Sequence, residues 1–145
     1  MQTFSRNNQS EIAKAEATLK SLEANLQNIR SMLNERKAER YDLEARPQAM
    51  EATGDINRLM TLKRRTMALD KEIAQLNLSE MEAKKRVDSV RQYLNTLYAK
   101  LDGLRSEAAK ISEKLAVEKL PEDVAAKLHT LLRRVEIQIE AISGA

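Results

Sequence analysis

Cysteine is absent from this chain of 145 residues, which removes disulfides, thiolate metal sites and cysteine nucleophiles from consideration. The single histidine, His129, cannot build a His cluster, a His-x-x-x-His zinc site or a Glu-x-x-His pair within one chain. Aromatic residues make up only 3%, and there are three glycines and two prolines. Gly54, Gly103 and Gly144 stand alone, so no Gly-rich phosphate loop exists, and the profile excludes a mixed globular core with strands. No apolar run approaches the roughly 18 residues of a membrane span. Met1 to Ser10 is polar apart from Phe4, and the expectation is a cytoplasmic, intracellular protein with neither signal peptide nor transmembrane segment and no membrane partner.

What is present is charge, at 32% of residues, and an apolar repeat. From Leu59 to Leu115, steps of three and four give Leu59, Leu62, Thr66, Leu69, Ile73, Leu76, Glu80, Ala83, Val87, Val90, Leu94, Leu97, Leu101, Leu104, Ala108, Ile111 and Leu115. All but Thr66 and Glu80 are apolar and the register never slips, the pattern of a coiled-coil seam. A helix over 55–118 would be about 95 Å long at 1.5 Å per residue. Gly103 follows Asp102, a common turn pair, but the heptad is in phase on both sides and the spacing predicts an unbroken helix; the alternative is a compact four-helix bundle.

The flanking segments read as shorter partners. Asn8 with Glu11 forms a capping-box pattern opening a helix over 8–46, with seam residues Ile12, Ala15, Leu19, Leu22, Leu26, Ile29, Leu33, Arg36, Arg40 and Leu43. Pro47 lacks a helix donor and constrains Arg46, so 47–54 reads as a loop and Asp55 as the next N-cap. A loop centred near Glu51 sets Leu43 opposite Leu59, Arg40 opposite Leu62, Arg36 opposite Thr66 and Ile12 opposite Val90. Pro121, with Glu122 and Asp123 behind it, opens a third helix over 121–143, whose seam reads Val124, Leu128, Leu131, Val135, Gln138 and Ile142 and ends at Gly144. Folded back, it sets Ile142 opposite Leu97. The predicted fold is all-α: a single domain over 1–145, an elongated antiparallel coiled coil with one very long central helix. A shorter N-terminal and a shorter C-terminal helix pack end to end along it.

Carboxylates alternate with Lys and Arg at helical spacing, the mark of solvated faces, and a thin rod offers no concavity. The sequence therefore predicts no enzyme, and with it no catalytic residue, cofactor or metal. The formal excess of +3 sits in one segment. Between Arg30 and Arg65, Arg30, Arg36, Lys37, Arg40, Arg46, Arg58, Lys63, Arg64 and Arg65 outnumber Glu35, Glu39, Asp42, Glu44, Glu51 and Asp55. Arg36, Arg40, Lys63, Arg64 and Arg65 are the candidate partner-binding residues. Met60, Met67 and Met81, with Leu132 and Ile139, form off-seam apolar stripes that suggest self-association as a homodimer. These features indicate a non-enzymatic coiled-coil interaction protein, whether adaptor, scaffold, chaperone or inhibitor, whose partner is another protein. Two alternatives are nucleic-acid binding through the basic loop end, where Tyr41 is the one nearby stacking residue, and a stalk-like component of a larger assembly.

Overall fold

Helix accounts for nearly all of the computed structural model, which describes residues 10–117 and 119–144. Three helices and no strand occur among these residues: α1 Glu11–Thr53, α2 Ile56–Val117 and α3 Glu122–Ser143. They span 43, 62 and 22 residues, so α1 is longer than its heptads alone suggested. The expected cap at Asn8 lies outside the described residues. Ser10 caps α1 instead: its Oγ accepts the Ala13 N–H at 3.1 Å and its carbonyl accepts the Lys14 N–H at 3.1 Å.

The expected loop over 47–54 is not one. α1 continues through Pro47 to Thr53. A proline deletes one backbone hydrogen bond without turning the chain. The reversal comes at Gly54, whose φ of 73° lies in the left-handed region. The Ile56 N–H donates to the Gly54 carbonyl at 3.1 Å. Asp55 then caps α2, its Oδ1 accepting the Arg58 N–H at 3.1 Å and its carbonyl accepting the Leu59 N–H at 3.1 Å. α2 runs without interruption past Gly103.

The chain divides into two compact units, one of Met1–Lys20 with Asp88–Ala145 and the other of Ser21–Val87. In the first (unit 1), Ile12 and Ala15 of α1, Leu94, Leu97 and Leu101 of α2 and Ile142 of α3 form one buried cluster, with Leu19, Val90, Leu104 and Ile139 packed against it. Three helices thus share one core. α3 is rotated relative to the expected seam: Val124, Leu131 and Gln138 are exposed, whereas Ala125, Leu128, Leu132 and Ile139 are half-buried and Val135 and Ile142 buried. The face Ala125, Leu128, Leu132, Val135, Ile139, Ile142 has the same three-four spacing without a polar residue, and burial favours it over one that would bury the Gln138 amide. Pro121, expected at the first helical position, is the N-cap, its carbonyl accepting the Ala125 N–H at 3.0 Å. At the other end of α3, Gly144 adopts φ 77° and its N–H donates to the Glu140 carbonyl at 2.7 Å.

In the second (unit 2), α1 and α2 run antiparallel, and Leu43, Leu62 and Leu69 form a buried cluster near the turn. Leu26, Leu33, Ala83 and Val87 are buried farther from it. The register differs from the expected one. Arg40 pairs with Asp70, Arg36 with Glu72 and Arg30 with Glu80, each about one heptad farther along α2 than a loop centred on Glu51 would set. The cause is the turn, because extending α1 to Thr53 moves the point of reversal and carries these pairings with it.

The glycines make opposite predictions. Nothing lies within 4 Å of a Cβ placed on Gly103, which is helical, so Gly103→Ala should stabilise the protein by about 1 kcal/mol and raise its melting temperature by a few degrees. A Cβ on Gly144 would sit 3.2 Å from the Ser10 Cβ at a left-handed φ, so Gly144→Ala should lower stability by about 1 to 2 kcal/mol. Thermal melts followed by circular dichroism measure both.

Candidate interaction surface

The cations near the turn are arranged by a heptad helix whose seam also has to accommodate them. Arg36 and Arg40 occupy seam positions of α1, where their apolar stems help cover the leucines while the guanidinium groups reach the rim. There the Arg36 Nε donates to Glu72 Oε2 at 2.9 Å, and the Arg40 Nε donates to Asp70 Oδ1 at 2.8 Å. Arg40 Nη1 also holds Glu44 Oε1 at 2.7 Å. Arg65 reaches the other way, from α2 to α1, donating to both carboxylate oxygens of Glu39 at 2.8 and 3.0 Å. Glu72 lies between two arginines, since Arg65 Nη1 is 3.7 Å from its second oxygen. Three of the five candidate partner-binding cations are therefore engaged within unit 2. Lys63 and Arg64 are exposed and make no ion pair among the described residues.

These pairs lie at the surface, where water screens them and each contributes little to stability. Their clearest effect is on titration. The hydrogen bond from Arg65 holds the Glu39 carboxyl below its usual range, against a smaller opposing effect of desolvation. The same bond raises Arg65, and the bond to Asp70 raises Arg40, so both stay charged. In unit 1 the Tyr98 hydroxyl donates to Glu16 Oε1 at 2.6 Å, and that bond raises the phenol above its ordinary value.

The apolar candidates separate. Met60, Met67 and Met81 are exposed, at 48%, 63% and 57%, and Leu78, which the seven-residue spacing of the methionines passed over, is exposed at 57%. Leu132 and Ile139 instead lie on the inward face of α3, with Ile139 against the unit 1 cluster. Their expected place on an outer stripe follows from a seam through Gln138, and the rotation of α3 turns both inward. His129 is exposed. Shallow grooves flank the α1–α2 seam in unit 2, one between Arg40, Glu44, Lys63 and Met67, another between Met32, Lys71 and Gln75.

No family model, no curated protein and no solved structure matches this chain.

The Glu39–Arg65 bond gives a signed pH dependence. Glu39 titrates below its ordinary 4.5 in the folded protein, so its contribution is complete above that value and is lost as pH falls through the lower one. In melts between about pH 6 and about pH 3, the melting temperature should fall, and Arg65→Gln should reduce that fall. In NMR titration of the same variant, the Glu39 carboxyl should return towards 4.5.

Proposed function

We propose that the protein is a non-enzymatic interaction protein built on an antiparallel coiled coil, acting by presenting a helical surface to another protein as an adaptor, scaffold, chaperone or inhibitor. The observation that carries this reading is the set of large apolar side chains exposed on the outer side of α2: Met60, Met67, Leu78 and Met81. Single exposed apolar residues are ordinary, but a run of them at coiled-coil spacing along one helix marks a contact surface. The heptad seam supports the coiled-coil part of the reading, because apolar residues on one stripe of each helix bury best against a neighbouring helix with the same repeat.

The loop-end cations fit a protein partner better than a phosphate backbone. Of the five candidate cations, Arg36, Arg40 and Arg65 already hold carboxylates, which leaves Lys63 and Arg64 to meet a ligand. Such rim charges steer encounters more than they hold complexes together.

Affinity capture from the native host with the full chain, followed by mass spectrometry, tests the proposal. A protein should be recovered in stoichiometric amount, and Lys63→Gln with Arg64→Gln should slow its association with little change in dissociation. Duplex DNA or RNA should bind weakly at about 150 mM salt. Tight duplex binding that falls steeply with salt and disappears in Lys63→Gln/Arg64→Gln/Arg65→Gln would overturn the reading in favour of nucleic acid.

A further inference from the structure

The outer side of α2 in unit 2 carries a pattern that neither the core nor the ion pairs use. Met60, Met67, Ala74 and Met81 recur at heptad spacing and all are exposed. Between them Arg64, Lys71, Leu78 and Lys85 recur at the same spacing, equally exposed. At about 3.6 residues per turn the two rows lie side by side, roughly 150° round the helix from the midline of the seam. One row is wholly apolar and the other mostly basic, interleaved at the four-three spacing of a coiled-coil contact. Neither row contains an acid between Met60 and Lys85, and the next position of the apolar row is Asp88. Arg64, Lys71 and Lys85 make no ion pair among the described residues, in contrast to Arg30, Arg36, Arg40 and Arg65.

We propose that this stripe docks an acidic amphipathic helix of another protein, whose apolar seam lies over the methionine row and whose flanking carboxylates face Arg64, Lys71 and Lys85. The proposal rests on the reading of the chain as an interaction protein and states the chemistry of its partner. Charge selects the occupant. A second copy of this chain docked stripe to stripe would bring the same three cations into the contact with no acid in either row to offset them, an arrangement that like charges oppose. A lipid surface takes a broad apolar face, and this stripe is narrow, with Asp70 and Asn77 along one side and Gln75 and Glu82 along the other, all exposed. Methionine suits the seat of a partner helix because its unbranched, polarizable side chain adapts to the residues above it.

The test uses the full chain and two synthetic helical peptides of about four heptads, both with Leu at the seam positions, one with Glu and the other with Lys at every flanking position. In fluorescence anisotropy titrations the Glu peptide should bind at least about tenfold more tightly than the Lys peptide. Arg64→Glu/Lys71→Glu/Lys85→Glu should invert that preference, and Met67→Glu/Met81→Glu should remove binding of the Glu peptide. If the charge-reversed chain loses helix by circular dichroism, the preference of the unaltered chain between the peptides still decides. Equal binding of both peptides, or of neither, overturns the proposal. So does a dimer in sedimentation equilibrium that Met67→Glu/Met81→Glu dissolves, which assigns the stripe to a second copy. Adsorption to phosphatidylglycerol vesicles that the charge reversal abolishes assigns it to lipid and likewise overturns the proposal. A partner recovered from the host that binds the charge-reversed chain unchanged refutes the stripe while the broader functional reading stands. Recovery of no protein partner refutes the broader reading itself.

Discussion

The register of α1 against α2 depends on the position at which the backbone can turn back, and Gly54 holds that position. A residue with a Cβ resists a φ of 73°, so α1 extends until it reaches one without. Asp55 then supplies the acceptor that the first free N–H groups of α2 require. Once that two-residue reversal is set, each cation of α1 has a fixed opposite number. Arg40 finds Asp70 and Arg36 finds Glu72 because the turn lies after Thr53 rather than at Pro47. A reversal one heptad earlier would keep every leucine on the seam and exchange all of the charge partners.

Among the cations of unit 2, this separates the seam arginines from those of the outer stripe, which composition alone lumps together. Arginines beside the seam bridge the helices with directional hydrogen bonds, and Arg65 does so with both Glu39 oxygens, the two-pronged geometry that a guanidinium provides and an ammonium does not. The cations of the outer stripe have no such engagement. The positive excess around the turn is therefore smaller as an accessible field than the sequence count suggests, and Arg64, Lys71 and Lys85 of α2 are among the cations left exposed.

The all-helical fold was legible in the sequence because the apolar repeat never slips. Leu62, Leu69, Leu94, Leu97 and Leu101 are buried, as their spacing requires. Phase is a local property. Register is not, since a heptad pattern looks the same after a shift of one repeat and only the turn distinguishes the alternatives. Pro47 was the more conspicuous helix breaker, yet a proline interrupts one hydrogen bond without turning the chain, and Gly54 seven residues later does turn it. The rotation of α3 was readable in principle from Gln138 beside Ile139, where one seam buries an amide and the other does not. The pairing of Arg36, Arg40 and Arg65 was not readable, because it follows from the register. Nor was the significance of Arg64, Lys71 and Lys85, whose spacing becomes informative only when their side chains prove exposed and unpaired.

The meeting of Ser10 with Gly144 bears on how the chain could be rewired. Within unit 1 the cap that starts α1 lies against the cap that ends α3, close enough that one methyl group would crowd them. Because these two positions touch, a short flexible linker in place of residues 1–9 could join them into a closed ring. The ring could then be opened between Gly54 and Asp55, giving a circular permutant in which the order of the helices changes while the core of unit 1 keeps every contact. In such a molecule α1 and α2 would no longer be joined by the tight turn, and within unit 2 their register would rest on the arginine–carboxylate pairs.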